Sequence, residues 1–542
     1  MKRWNGWGEE STQYPLLATA AAYLADQVGP GLALEDADLS GVLDRVPGSR
    51  LPEHPLVTQA AIQRLRHARG QSLPDWVALR SGRIGTFPDG VAYPAGEEDI
   101  RSLLDFAAQT GVRLIPYGGG SSVVGHINPL PGDAPVLTVD LGRMNRLLEL
   151  DEASRLATFE CGVPGPALEQ ELNQRGYTLG HFPQSFEFST LGGWIATRST
   201  GQQSYHYGRI EPLFAGGRLL TPLGTLDLPA FPASAAGPDL RHLVLGSEGR
   251  LGILTQAQVR IRPLPQKERF LAIFFPDWDS GMAAVKHMAQ SGLAVSMLRL
   301  SDPVETETTL VLSGHDRLVS FAKWGLSLIG QREQRCMLIF GLTGRRDSTA
   351  LAYRQVQSMA RPYGGFAVNF FIGDKWQKSR FYTPYLRNTL WEHGYALDTL
   401  ETALPWKAVP EAVQAIQASL HAALQPWNER VLVFSHLSHL YTDGASMYVT
   451  YLFRRAADPL ETEQRWRAMK QGASEQIVRF GGTISHQHGI GLDHAAYLAA
   501  EKGPLGMEAI RSALHHFDPQ GILNPGKLVD TSPVTQGDPL QA

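Results

Sequence analysis

Two cysteines, Cys161 and Cys336, are all that the 542 residues contain, and they stand far apart with no CxxC. That excludes a disulfide framework and a thiolate zinc site. Long apolar runs are missing too, so no segment offers the ~18 apolar residues of a membrane-spanning helix. The opening Met1-Lys-Arg-Trp-Asn-Gly-Trp-Gly-Glu-Glu10 puts charge where a secretory signal needs its apolar stretch, and a cytoplasmic protein is expected. Nor is there an excess of positive charge: 49 Lys and Arg face 53 Asp and Glu, for a net charge of −4. A dedicated nucleic-acid or anionic-membrane binder is therefore excluded, while small-molecule and lipid substrates stay open. Internal repeats and low-complexity tracts are absent.

What is present is an ordinary globular composition, 43% hydrophobic and 19% charged, in a chain too long for a single core. Residues 1–87 read as a helical, loop-rich segment. In 88–265 strands alternate with helices, and 266–480 forms a second α+β unit. The tail, 481–542, carries histidines and glycines and is expected to return to the first unit, with disorder from about Thr531. Glu97 to Gln109 sets Ile100, Leu103, Leu104 and Ala107 on one helical face, closed by Gly111. Val112–Pro116, Val136–Leu141, Ala157–Val163, Phe270–Phe275, Cys336–Phe340, Val431–Phe434 and Met447–Phe453 read as strands, and Glu411–Leu424 as an amphipathic helix. The fold class is α+β.

The most informative stretch is Pro116-Tyr-Gly-Gly-Gly-Ser-Ser-Val-Val-Gly125. Glycines directly after a buried strand let backbone N–H groups converge on an anion such as a diphosphate. The Walker lysine and the GxGxxG spacing are both missing, so neither a P-loop nor a Rossmann site fits. Alone, such a loop is more often a plain turn. Two further segments follow: His181-Phe-Pro-Gln-Ser-Phe-Glu-Phe-Ser-Thr-Leu-Gly-Gly-Trp194 with Thr197-Arg-Ser-Thr-Gly201, and Gly246-Ser-Glu-Gly-Arg-Leu-Gly-Ile-Leu-Thr255.

In this order the three segments resemble the vanillyl-alcohol-oxidase (PCMH) type of FAD-binding domain. Over nearly the whole chain, the sequence is similar to the alkyldihydroxyacetonephosphate synthases and their bacterial relatives. The motifs that carry this are Trp4-Asn-Gly-Trp-Gly8, Glu187-Phe-Ser-Thr190 with Gly192-Gly-Trp194, Pro384-Tyr-Leu-Arg387, Glu401-Thr402 with Pro405-Trp406, and Gly482-Thr-Ile-Ser-His486. The resemblance implies a two-part FAD-binding unit, a cap built on an antiparallel sheet flanked by helices, and FAD held non-covalently. Gly120 stands where covalent relatives often carry a flavin-linking histidine. FAD contacts are implied for Pro116, Tyr117, Gly118, Gly119, Gly120, Ser121 and Ser122. The second loop adds Gln184, Ser185, Phe186, Glu187, Phe188, Ser189 and Thr190. Thr197, Arg198, Ser199 and Thr200 follow, then Glu248, Gly249, Arg250, Leu251, Gly252, Ile253 and Leu254.

For the chemistry, the resemblance implies Tyr448 as acid/base, Arg387 as the substrate-phosphate arginine, and His486 and His488 as needed for activity. Arg299 and His181 match further family residues and are expected to touch substrate, with Arg299 also a candidate for holding the cap against the flavin. A phenol titrates near 10, so Tyr448 needs neighbouring cations to act as a base, and the histidines and Arg387 are candidates. Ser435-His-Leu-Ser-His439 adds two histidines. No metal site is expected, because the i, i+2 spacings lack carboxylates close in sequence. Read as a strand, Ser485-His-Gln-His-Gly489 puts His486 and His488 on one face. Three departures stand out: Gln184 for the usual Asp, Arg250 for the usual Thr with its charge expected near the flavin, and Gln487 in the middle of the usual histidine run.

The implied reaction exchanges the acyl chain of an acylated dihydroxyacetone phosphate for a long-chain alcohol by way of flavin N5. The alternative is a flavin-dependent dehydrogenase or oxidase of a 2-hydroxy acid such as glycolate or D-lactate. Peripheral membrane contact and a homodimer are left open by the resemblance.

Overall fold

A computed structural model describes residues 2–312, 334–368 and 372–529, so the tail expected to be disordered lies outside the described residues. Three main sheets carry the chain. The first runs Val57–Thr58, Gly90–Ala92, Val136–Asp140, Arg113–Tyr117, its last three strands parallel. Parallel neighbours need crossovers, and the helix Glu97–Thr110 supplies one. Its first turn holds Glu97, Glu98 and Asp99, which complement the N-terminal dipole. Ile100, Leu103, Leu104 and Ala107 are buried, and Gly111 ends it in the left-handed conformation.

The second sheet is antiparallel, in the order Leu147–Asp151, Leu156–Glu160, Ile253–Arg260, Phe214–Thr221, Gly224–Leu228. The third has seven antiparallel strands: Phe366–Val368, Lys267–Phe275, Cys336–Gly344, Met297–Ser301, Val431–Leu440, Gly444–Arg454 and Tyr395–Pro405. One face packs against the helices Trp278–Gln290, Arg346–Ala360, Val409–Ala423 and Pro459–Arg479, burying Phe275, Phe340, Ile416, Val449 and Trp466. Each such side chain contributes roughly 1.5–3 kcal/mol, which makes this sheet a stiff platform for polar residues on its other face.

The first 87 residues strap the two halves together. Trp7, Leu73 and Trp76 enter the core of the seven-stranded sheet, whereas Val57 and Thr58 extend the first sheet. The C-terminal residues go the other way. Leu498, Met507 and Leu514 of the helix Leu498–Phe517 join the core of the second sheet. Leu114 then exchanges backbone hydrogen bonds with Ile522 and Asn524, at 2.8 and 2.7 Å. No described helix is long and apolar enough to cross a membrane.

Candidate active site

The strand Arg113–Tyr117 delivers the glycine loop into a cleft between the first two sheets. A Cβ on Gly119 would lie 1.7 Å from the Phe188 carbonyl oxygen, so only glycine lets the two segments touch. Gly120 has φ +71°, in the left-handed region. The loop is braced from behind: Lys2 Nζ donates to the Gly119 carbonyl at 2.8 Å, and the Gln71 N–H donates to the Ser122 carbonyl at 2.6 Å. Ser122 Oγ is 2.8 Å from His126 Nδ1, whose other ring nitrogen is 3.1 Å from Glu248.

The cleft encloses about 1150 Å³ with its mouth included. Of the residues expected to hold FAD, Pro116 to Ser122, Ser185, Ser189, Thr190, Thr197, Ser199, Glu248, Gly249, Gly252 and Leu254 line it. Sequence reasoning missed Val123, His126, Leu141, Cys161, Leu219, Val244, Ser247 and Asn524, and also the facing of Gln487 into it. His126, one residue past the loop motif, and Val244, at the end of the helix Arg241–Val244 just before the third segment, had a local signal; Leu219 and Asn524 come from a distant strand and the tail and had none. Backbone amides at the loop, a row of serine and threonine hydroxyls and an apolar patch from Leu141, Leu219, Val244 and Leu254 are the donor and contact set a flavin dinucleotide needs. The residues fit the group.

Other expected contacts stand behind this wall. Phe186 stacks on Phe381 at 5.0 Å, and Glu187 accepts from Tyr385 Oη at 2.9 Å. Phe188 packs edge-on against Trp7 on the far side of the loop. Arg198 pairs with Glu211, Gln184 is exposed, and Thr200, Leu251 and Ile253 are buried away from the lining. Arg250 corrects an expectation: its guanidinium does not line the cleft but donates to the Asn524 carbonyl at 3.2 Å, drawn there by the C-terminal return. His181 is also buried outside the lining, stacked on Trp194 with Nε2 3.2 Å from Ser199 Oγ. Burial, with Arg209 nearby, holds its imidazole down to about 3.

Tyr448 lies on the strand Gly444–Arg454, directly across from Glu401 on one side and His436 on the other. Its hydroxyl donates to Thr399 Oγ1 at 3.0 Å. The ring stacks on His436 at 5.1 Å and meets His488 edge-on at 5.7 Å. Burial pushes the phenol above its ordinary value, against a smaller opposing pull from Arg387. The expected help from histidine cations is absent: burial lowers His436, His439, His486 and His488 below the usual imidazole range.

Arg387, on the helix Thr383–Glu392, is stacked 4.4 Å over Trp76 and donates through Nη1 to the Gln71 carbonyl at 2.6 Å. Its Nε and Nη2 are buried with no partner among the described residues. Burial lowers it to about 10, partly offset by Asp398, Asp75 and Tyr448. The same helix carries Asn388, which clasps both backbone groups of Trp7 at 3.1 and 2.9 Å, and Tyr385 over Gly8, where a Cβ would sit 2.1 Å from the ring. The Trp4–Gly8, Glu187–Thr190 and Pro384–Arg387 motifs thus form one contact. Arg299 stays inside the seven-stranded unit, at 2.7 Å from Glu305 and 3.1 Å from His436 Nδ1, so it does not bridge to the cleft-bearing sheets.

The Ser485–Gly489 segment is not a strand but a loop wrapped around Glu401. Its histidines therefore part company. Gln487 and His488 line the cleft, while His486 turns toward Tyr441, its Nε2 at 2.6 Å from the phenol oxygen, and stacks on His439. The carboxylate that shapes the loop comes from a strand some eighty residues earlier, which local sequence does not reveal.

Residues 88–227 match the family described as FAD binding domain, and 264–528 match FAD linked oxidases, C-terminal domain. The chain is 31% identical over 477 residues to the alkyldihydroxyacetonephosphate synthase of Dictyostelium discoideum, spanning 87% of this chain and 78% of that one. The Trypanosoma brucei brucei enzyme of the same name is 28% identical over 589 residues, 99% of this chain and 94% of its own. A solved alkyldihydroxyacetonephosphate synthase superposes with a TM-score of 0.83 at 26% identity, covering 97% of this chain and 99% of that one. These likenesses establish an FAD-dependent enzyme, and the chain belongs to the alkyldihydroxyacetonephosphate synthase family.

Proposed function

We propose that this enzyme exchanges the acyl chain of an acylated dihydroxyacetone phosphate for a long-chain alcohol, giving an ether lipid precursor. The observation that carries the reading is the buried guanidinium edge of Arg387, unpartnered among the described residues and close enough to Tyr448 to influence its ionisation. An unmatched buried cation is costly unless an anion arrives, and the forked N–H pair suits phosphate.

Residues 88–265 with the tail hold FAD, and 266–480 form the cap. Backbone amides of Gly118 to Ser122 clasp the diphosphate, and Ser185, Ser189, Thr190, Thr197 and Ser199 serve the rest of the cofactor. Gly120 offers no side chain for a covalent link. Bound FAD supplies an electron-poor ring that acts as an electrophile without net redox change. Arg387 grips the phosphate and orients the substrate, and Tyr448 removes and returns the proton at the carbon beside the ketone. The elevated phenol means that Tyr448 works as a base only when substrate and neighbours take up its proton or stabilise its charge. Long-chain substrates would be collected by peripheral contact with a lipid surface.

A 2-hydroxy acid would offer Arg387 a carboxylate, so the test must separate the two. The flavoprotein is mixed anaerobically with acylated dihydroxyacetone phosphate and hexadecanol, or with glycolate or D-lactate. Ether formation with the flavin oxidised at the end is expected. Bleaching by a hydroxy acid, with no ether formed, overturns the reading.

A further inference from the structure

The glycine loop has a second face. Behind it lies another cleft of about 1110 Å³, mouth included, which has Tyr117, Gly118, Gly119, Gly120 and Thr190 in common with the flavin cleft. This shared wall is tightly closed: Gly118 packs on Thr190 Oγ1 and Gly119 on the Phe188 carbonyl, with no room for a Cβ at either position. A dinucleotide seated in the first cleft has the loop backbone between it and the second.

Lys2, Arg3, Arg66 and Arg69 line this rear cleft, and Asp140 is the one carboxylate among its lining residues. Asp140 is already committed. One of its oxygens is 2.9 Å from His67 Nε2, and the other accepts the Gly142 N–H at 2.8 Å. Arg69 is tied to the Ile84 carbonyl, and Lys2 to the Gly119 carbonyl at 2.8 Å. Arg3 and Arg66 differ: each buries its Nε with no hydrogen-bond partner among the described residues. Burial lowers the Lys2 ammonium below its ordinary value, Asp140 and Glu9 oppose this, and Arg66 adds to it. On an open basic surface water would satisfy all of these groups. Here two guanidinium N–H groups are shut off from water beside a like charge, which is costly until an acceptor enters.

We infer that the rear cleft is a second anion site, taking a phosphate monoester on Lys2, Arg3 and Arg66. A monoester dianion offers three strongly accepting oxygens, enough to serve several cations at once, and the arginine fork matches its geometry. Trp4 and Phe188, in the same lining, give apolar surface to the group that carries the phosphate. A soluble ester and a lipid headgroup present the same phosphate, and the test separates them. Nothing in this assignment depends on Tyr448 or Arg387.

Binding of labelled glycerol 3-phosphate to the flavin-loaded protein is measured by equilibrium dialysis. Arg387→Leu serves as the background, so that the substrate-phosphate arginine does not supply the signal. That protein is expected to bind the ester still, and adding Arg66→Met to weaken binding by roughly tenfold or more, with flavin content unchanged. In parallel, the same two proteins are sedimented with phosphatidylcholine vesicles, with and without phosphatidic acid. Dialysis binding that depends on Arg66 identifies a soluble ester as the occupant. Sedimentation on phosphatidic acid that depends on Arg66 identifies a lipid headgroup. Dependence in either assay supports the site, and dependence in neither overturns it. Arg3→Met, with the same expectations, takes the place of Arg66→Met should that variant fail to fold. Loss of flavin from both variants would assign the rear cleft to the cofactor and overturn the inference as well. Equal binding by wild type and Arg387→Leu, with both sensitive to Arg66→Met, would remove Arg387 as a phosphate ligand and leave the rear site standing.

Discussion

Two clusters on the seven-stranded unit are built from the same parts, and only one of them opens on the cleft. In one, Tyr448 meets His436 and His488, with Arg387 nearby. In the other, Tyr441 meets His486, His486 stacks on His439, and Arg209 donates to the His486 carbonyl. Both draw one histidine from the strand Val431–Leu440 and one from the loop around Glu401. In the second cluster Ser204 holds His439 and Tyr441 holds His486, whose Nδ1 is buried without a partner among the described residues. The first keeps an unpartnered guanidinium edge on Arg387 and puts the His488 imidazole on the cleft wall. Residue type does not distinguish the two clusters; access to the cleft, through His488, does.

The largest effect removes the ground on which the clusters differ. Gly119→Val drives a side chain into the Phe188 carbonyl, and the purified protein is expected to be colourless, with no flavin released on boiling. Next comes the contrast itself. Tyr448→Phe is expected to cut ether formation by roughly 1,000-fold with flavin retained, in line with a lost general acid/base, whereas Tyr441→Phe should cost under about 10-fold. Equal losses in the two variants would erase the distinction. Arg387→Leu removes charge-assisted hydrogen bonds worth about 3 kcal/mol together, roughly 100-fold in kcat/KM, and Arg387→Lys should recover only part of it.

The smallest effect probes what the second cluster shares with its surroundings. His181 and His439, each held down to about 3 by burial, stay neutral in the folded protein, while an unfolded imidazole titrates near 6.5. Stability is therefore complete above pH 6.5 and declines as pH falls toward 3, by about 2 kcal/mol for each group at pH 5. Thermal melts between pH 7 and 5 should show it, and His439→Gln should flatten the slope.

How much of this was legible in sequence depended on how far apart the partners lie. The glycine loop is local: strand, three glycines and hydroxyls follow one another, and Pro116 to Ser122 all line the cleft. The helices Glu97–Thr110 and Val409–Ala423 were equally plain from apolar spacing. Ser485–Gly489 misled because alternation suggests a strand, and the carboxylate that coils it is remote in sequence. Arg250 misled for a similar reason, since its acceptor belongs to the returning tail. The ionisation of the histidines was hidden most deeply, because it depends on burial by elements from three parts of the chain.

The strand bearing Tyr448 also sets a rule for anyone redesigning this enzyme. Val449, its neighbour, is wholly interior against the helices, and side chains alternate along the strand. Inserting or deleting a single residue between Gly444 and Tyr448 would exchange the two, sending an aliphatic group to the chemistry and a phenol into oil. Libraries that vary the length of this strand will return mostly dead clones.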